Sequence, residues 1–339
     1  MQNITLLMPD EISRKLFITP AVLQAFESLG NLRINNNTKY ERESMAQLLA
    51  GCHICVTGWG CPPLDEYVLK DANDLRLVIH TGGTVADLAT AHLYDKGVRV
   101  ISGNEIFAES VAEGTLAYML AALRRIPFYN KNMQAGLWRG VTRQNKGLLD
   151  KKIGLVGFGA IPRYLVPMLK PFRADIQVYD PFVGDDTLQL YSVKRAASLE
   201  SLFAECDIVS NHLPLTTETT KQICADLLNL MRPGTLFVNT ARGSTVDEQA
   251  LETVLQNGQV HAVLDVFEVE PLPLDSKLMG LDNVILIPHM GGPTADRYEM
   301  VGLVLADACR DWLAGQPLTH EIPREYAAKM TSVSMAKKR

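Results

Sequence analysis

The segment Ile153-Gly154-Leu155-Val156-Gly157-Phe158-Gly159-Ala160-Ile161-Pro162 reads as a strand that runs into a helix through a glycine turn. Gly157 permits the tight turn and Gly159 lets the backbone approach a pyrophosphate. The free N–H groups of the helix start, at Ala160 and Ile161, favour its negative charge. An acid at the end of the next strand is then expected to accept hydrogen bonds from a ribose. Asp180, in Val178-Tyr179-Asp180-Pro181, stands 23 residues after Gly157. Its charge would repel a 2′-phosphate and no arginine follows it at once, so the expected cofactor is NAD. Pro162 replaces the third glycine of the fingerprint. The helix tolerates it, because the N–H it lacks would be unpaired in a first turn anyway, but should sit slightly farther from the sheet.

Such a turn needs a sheet around it. Short β-branched runs alternate with helical patterns along all 339 residues, the mark of parallel sheets joined by crossover helices. Expected strands are 4–8, 32–35, 53–58, 75–80 and 98–102 and then, after a helix over 108–125, 152–156, 176–179, 207–211, 235–239, 261–265 and 284–287. Thr19 and Pro20 read as the cap and first residue of a helix, and another is expected over 294–313. At roughly 150 residues per domain the length allows two domains. The fold class is α/β, with two Rossmann-like or flavodoxin-like parallel-sheet domains.

Apolar residues make up 47% of the chain and charged ones 21%, which excludes a disordered or fibrous protein. The net charge of −5, with no basic run before Lys337-Lys338-Arg339, argues against a nucleic-acid partner. The longest nearly uncharged apolar stretch, 114–123, is about half of the ~20 residues that cross a bilayer. No basic-then-apolar leader opens the chain, so a cytoplasmic protein without a membrane segment is expected. The polar, basic tail 331–339 is expected to be disordered.

Further motifs fall at or just after the carboxyl ends of the later strands, where open α/β sheets bind ligands. They are Asn211-His212-Leu213-Pro214-Leu215-Thr216, Asn239-Thr240-Ala241-Arg242-Gly243, Val246-Asp247-Glu248, Leu264-Asp265-Val266-Phe267-Glu268-Val269-Glu270-Pro271 and Pro288-His289-Met290-Gly291-Gly292. In this order they resemble the D-isomer-specific 2-hydroxyacid dehydrogenase family over nearly the whole chain, most strongly from 151 to 295. The resemblance implies NAD-dependent interconversion of a D-2-hydroxy acid and its 2-keto acid, and the residue types suit that chemistry. Arg242 would clamp the substrate carboxylate bidentately. His289 would protonate the developing alkoxide, and Glu270 would orient its imidazole and favour the protonated form. Each of the three alone also fits an ordinary loop or surface role; their shared place beyond strand ends joins them.

The same resemblance implies that Asp265 meets the nicotinamide carboxamide and that His212, Pro214, Thr240 and His289 lie along the cofactor. It implies an NAD-binding domain, 107–293, inserted into a substrate domain of 1–106 and 294–330, with the active site in the cleft between them. The long helix and the segment through Trp138 would pair two copies in a homodimer. The small-molecule partner would be a 2-hydroxy or 2-keto acid.

In the first domain the substrate-carboxylate loop would be His80-Thr81-Gly82-Gly83-Thr84-Val85, with Thr84 where a glycine and Ala86 where an aspartate is usual. Gly82 and Gly83 still permit close approach, and Trp59, in Thr57-Gly58-Trp59-Gly60, stands to wall the substrate pocket. Thr57 and His80 occupy positions where family members acting on phosphorylated acids carry arginines, so neutral or apolar substrate side chains are expected. Thr245 and Glu248 read as a capping box. Cys52, His53, Cys55 and Cys61 suggest zinc, but an alternating strand would turn Cys52 and Cys55 to opposite faces, so no metal is expected. A second class of function, a nicotinamide-sensing binding protein like the family's corepressors, would keep the same Arg, Glu and His with little turnover.

Overall fold

The computed structural model describes residues 1–138 and 144–332. The β-branched runs pair as two all-parallel sheets, one in each of two compact units: Met1–Phe107 with the described residues from Pro293 onward, and Ala108–Gly292. In the first unit β1 (Gln2–Leu6), β2 (Gly30–Ile34), β3 (Ile54–Thr57), β4 (Leu77–His80) and β5 (Arg99–Ser102) lie in the order β2-β1-β3-β4-β5. The central strands β3 and β4 are buried at every position, as strands covered on both faces must be. Ile54, Val56, Leu77 and Ile79 pack on one face with Phe17, Phe26 and Leu305; Cys55, Val78 and Val100 pack on the other with Leu49 and Leu64.

The second unit holds β6 (Lys152–Val156), β7 (Asp175–Tyr179), β8 (Lys194–Arg195), β9 (Ile208–Asn211), β10 (Leu236–Asn239), β11 (His261–Leu264) and β12 (Val284–Leu286), in the order β12-β11-β10-β9-β6-β7-β8. In each sheet the chain first builds outward one way and then the other, leaving switch points between β1 and β3 and between β6 and β9. Crevices at such points, beyond the carboxyl ends of the strands, take ligands. Every strand expected from sequence is present. β8 is additional: its two residues are exposed and carry no apolar signal.

Thr19 caps the helix Pro20–Leu29, its Oγ1 accepting the Val22 N–H at 3.5 Å. The expected helix over 294–313 starts later, at Tyr298. The long helix runs Asn104–Leu123, 20 residues, and by length and composition alone could cross a bilayer; the sequence estimate stopped at its uncharged half. Ala112, Met119 and Leu123 are buried in the second unit's core and Thr115 Oγ1 is 3.0 Å from Thr240 Oγ1, the contacts of a core helix.

Three expectations are corrected. β3 begins at Ile54, so alternation does not reach back to Cys52, and Cys52, Cys55 and Cys61 share one apolar cluster instead of facing apart. His53 Nδ1 accepts the Asn3 N–H at 2.8 Å, and among the described residues no group of three or more His, Cys, Asp or Glu is placed to hold a metal. The cap of the helix Glu248–Gln256 is Asp247, whose Oδ1 accepts the Ala250 N–H at 3.2 Å; Thr245 ends a preceding 3-10 turn. Thr331 and Ser332 are anchored, Thr84 Oγ1 donating to Thr331 O at 2.7 Å and Ser332 Oγ to Asp87 Oδ1 at 2.5 Å. The remainder of the expected tail, 333–339, lies outside the described residues.

Candidate active site

At the second sheet's switch point the chain leaves β6 through Gly157, whose φ of +92° belongs to glycine. Its N–H donates to Tyr179 O at 2.8 Å, and a Cβ there would stand 3.0 Å from His212 O, so the turn is pressed against the loop after β9. Gly159 caps the helix Ala160–Leu169 and has nothing within 4 Å of its Cβ position, leaving the space before the helix start open. Pro162 is buried in that helix's first turn together with Leu165 and Val166 further along. An open, unpaired helix start beside a glycine turn fits a pyrophosphate.

Asp180 ties this turn to the end of β7: its Oδ2 accepts the Phe158 N–H and its Oδ1 the Phe182 N–H, both at 2.8 Å. Each oxygen keeps a lone pair for a ribose hydroxyl. An arginine does stand nearby, although none follows in sequence. The register pairs Val178 with Arg195, whose Nη1 donates to Asp180 O at 3.1 Å while Nε and Nη2 hold Asp185 Oδ1 at 2.9 and 2.6 Å. His212 is buried with Nε2 2.9 Å from Ser210 Oγ, and burial pushes its pKa down to about 3, so the ring is neutral. Pro214 is exposed beside it, and Thr240 is buried against Thr115.

The loops after β10, β11 and β12 carry Arg242, Glu270 and His289. Asn211 and Asn239 are register partners, and their amides form the floor of the first loop. Asn211 Nδ2 donates to Asn239 Oδ1 (3.1 Å) and Thr245 Oγ1 (2.8 Å). Thr245 Oγ1 and Asn239 Nδ2 both donate to Arg242 O, at 2.7 and 3.3 Å. A Cβ at Gly243 would overlap the Phe267 carbonyl, so this loop and the next meet backbone to backbone. Burial lowers the pKa of the Arg242 guanidinium, and the charges of Glu270 and Asp265 oppose that, placing all three in one electrostatic neighbourhood.

Glu270 Oε1 accepts the Phe267 N–H at 3.0 Å and Oε2 lies 2.7 Å from His289 Nδ1. Burial pushes the Glu270 carboxyl up, but the bonds from His289 and Phe267 and the charges of His289 and Arg242 outweigh it and hold the group below the ordinary carboxylate range. As a carboxylate it only accepts, so Nδ1 donates and Nε2 is left for proton exchange. The Glu270 loop is held from behind, where Glu248 Oε2 accepts the Glu268 N–H at 2.8 Å.

His289 has φ +53°, a left-handed conformation uncommon in a non-glycine residue and typical of held functional positions. Asp265, 2% exposed, holds it: Oδ1 accepts the Met290 N–H at 2.7 Å and Oδ2 the Gly291 N–H at 2.9 Å. A Cβ on Gly291 would stand 2.7 Å from Oδ2. Burial raises the pKa of Asp265 above the usual carboxylate value, against those two donors.

In the first unit the Gly82–Gly83 loop has its carbonyls tied back, Gly82 O to the Gly103 N–H (3.1 Å) and Gly83 O to Ser102 Oγ (3.0 Å). The Gly82 and Gly83 N–H groups donate to no acceptor among the described residues, which suits a carboxylate. Trp59, 40% exposed, packs edge-on against Phe17 at 4.9 Å, with Phe107 and Tyr298 at 6.1 and 6.3 Å. The anchoring roles of Asn211, Asn239, Thr245, Glu248 and Arg195 escaped sequence reasoning; Asn211, Asn239 and Glu248 lie inside the quoted motifs, and only the fold brings each to its partner.

By fold and site this is a two-unit, dinucleotide-binding α/β protein. The sequence model described as D-isomer specific 2-hydroxyacid dehydrogenase, NAD binding domain, matches residues 116–291. The chain belongs to that family, and its cofactor is NAD. It is similar to a hydroxypyruvate reductase of Thermotoga maritima, 35% identical over 244 residues, 71% of this chain and 78% of the relative. It is also similar to a D-3-phosphoglycerate dehydrogenase of Methanocaldococcus jannaschii, 29% identical over 314 residues, 91% of this chain but 59% of that longer protein. Among solved structures, a phosphoglycerate oxidoreductase from Rhizobium etli aligns with a TM-score of 0.80 at 25% identity, over 95% of this chain and 98% of its own.

Proposed function

We propose that this chain is an NAD-dependent dehydrogenase interconverting an unphosphorylated D-2-hydroxy acid with its 2-keto acid. The observation that carries the reading is the 2.7 Å contact between His289 Nδ1 and Glu270 Oε2 in the electrostatic neighbourhood of Arg242. Arg242 would bind the substrate carboxylate with its fork of donors. Bound NADH would supply a hydride to the carbonyl carbon. His289 Nε2 gives its proton to the carbonyl oxygen as negative charge grows there, and Glu270 keeps the ring in register while that charge moves. Oxidation reverses each transfer. Asp265 would fix the His289 loop, and its role toward the nicotinamide carboxamide belongs to this proposal.

The substrate class is read from the first unit's strand ends, where Thr57 and buried His80 offer no cation to a phosphate. A dianion there would lose its hydration with nothing to replace it. Hydroxypyruvate and phosphohydroxypyruvate, each assayed with NADH, decide the point: the unphosphorylated acid should have the higher kcat/KM, and the reverse order overturns this choice. Ile126, Met133, Leu137 and Trp138 are exposed apolar side chains on one segment, which supports a homodimer through that face. Sedimentation of the wild type beside a Leu137→Glu variant tests it, a monomeric wild type overturning the reading.

A further inference from the structure

Arg242 and Glu270 stand on separate loops of the NAD-binding unit, and a carboxylate clamp works with an orienting carboxylate only if the two loops keep one spacing. We propose that Lys221, on a third loop, is a positioning residue that sets this spacing: its backbone holds the Arg242 turn and its ammonium holds the Glu270 loop. The proposal rests on the roles given above to Arg242, Glu270 and His289.

Lys221 lies in the loop after β9, just beyond a turn closed by Thr220, whose N–H and Oγ1 both donate to Thr216 O, at 3.1 and 2.8 Å. The Lys221 N–H donates to Ser244 O at 2.9 Å, inside the 3-10 turn Gly243–Thr245 that follows Arg242. Two residues on, Ile223 and Val246 form a parallel bridge, with the Ile223 N–H on Thr245 O at 3.1 Å and the Asp247 N–H on Ile223 O at 2.9 Å. The loop thus runs beside the Arg242 turn as a short strand. Its lysine side chain goes to the other loop. Nζ lies 3.2 Å from Glu268 Oε1, and Glu268 directly follows Phe267, whose N–H binds Glu270 Oε1.

Two further features single out this lysine. It stands at φ +51°, a left-handed conformation that glycine adopts without strain, so a long side chain is kept where the backbone favours none. Its ammonium also faces two carboxylates. Glu248 Oε2 accepts the Glu268 N–H at 2.8 Å. Burial pushes the Glu248 pKa up and the charges of Glu268 and Glu252 push the same way, while the bond from the Glu268 N–H and the charge of Lys221 oppose them. Without the cation, Glu248 and Glu268 repel each other across the bond that holds the Glu270 loop from behind. Lys221 offsets that repulsion and keeps the loop in place.

Lys221→Gly removes the ammonium and gives the left-handed turn the residue it favours, so Tm and the Kd for NADH should stay near those of the wild type. Its kcat for hydroxypyruvate reduction with NADH should fall about three- to fivefold, the scale of a partly exposed ion pair. Lys221→Glu should fall further, because it sets a like charge against Glu268, and adding Glu268→Lys to it should return kcat to within about twofold of the wild type. A wild-type kcat in Lys221→Gly, or a fall no larger than the loss of folded protein, overturns the positioning role alone. So does a charge-swapped pair no faster than Lys221→Glu. No turnover of any 2-keto acid by the wild type overturns the reductase reading and the positioning role together.

Discussion

Glu270 Oε2 meets His289 Nδ1 at 2.7 Å, so the inner nitrogen of the imidazole is occupied and the outer one carries whatever proton is exchanged. His289→Ala should lower kcat by about 10² or more, the usual scale for a lost general acid–base group, while the Kd for NADH, read by fluorescence, stays near that of the wild type. Retained turnover would remove His289 from the proton step. Glu270→Gln should be milder. Its amide oxygen can still accept from Nδ1 but without the charge, so kcat should fall by less than in His289→Ala, and a wild-type kcat would show that the carboxylate is not needed.

Asp265 spends both carboxylate oxygens on the peptide N–H groups that follow His289. Asp265→Asn preserves its size but turns an NH2 toward one of those donors, leaving a buried group unmatched at a cost of about 1–3 kcal/mol. A drop of several degrees in Tm together with a lower kcat is expected. A variant with wild-type Tm and kcat would show that the cap holds nothing.

Asp180 should make NAD(H) the preferred cofactor, with kcat/KM well above that for NADPH. Asp180→Ala should narrow the gap. Because Arg195 stands beside Asp180 but is held by Asp185, adding Asp185→Asn should free the guanidinium for a 2′-phosphate and narrow it further. Equal use of both cofactors by the wild type contradicts this arrangement.

His80 and His212 are both pushed down to about 3 by burial, whereas in the unfolded chain each titrates near 6.5. Between those values the unfolded state binds more protons, so stability must fall as pH drops below about 6.5. Each histidine would contribute roughly 2 kcal/mol of that loss by pH 5. Urea midpoints should therefore be lower at pH 5 than at pH 7, with a shallower dependence in His212→Gln. Midpoints that do not change over this range would mean that the two rings are not held neutral.

The strands were legible because each central one is a short β-branched run, and the candidate site was proposed because its motifs follow strand ends in order. What sequence could not show is pairing across the register. Asn211 and Asn239 are 28 positions apart in the chain and hydrogen-bonded in the fold, and nothing local marks either as the floor beneath Arg242. Arg195 comes beside Asp180 only because a two-residue strand docks on β7. The capping reading of Thr245 and Glu248 failed for a related reason. Asp247 was the nearer and better cap, which freed Thr245 to hold the Arg242 loop and Glu248 to hold the loop of Glu270. The left-handed turn at His289 had no signal at all, since its support comes from Asp265, just past the end of β11.

The two-residue strand β8 does more than place an arginine. It closes one edge of a seven-stranded sheet, and an open edge is a template on which another chain can add a strand. Here the exposed rim is two residues long and wholly basic, with Lys194 bound to Asp175 at 2.7 Å and Arg195 to Asp185 at 2.6 Å. A passing strand finds too few free peptide groups to register on, and any approach brings its side chains against fixed charge. That flank of the NAD-binding unit is thereby guarded against edge-to-edge aggregation.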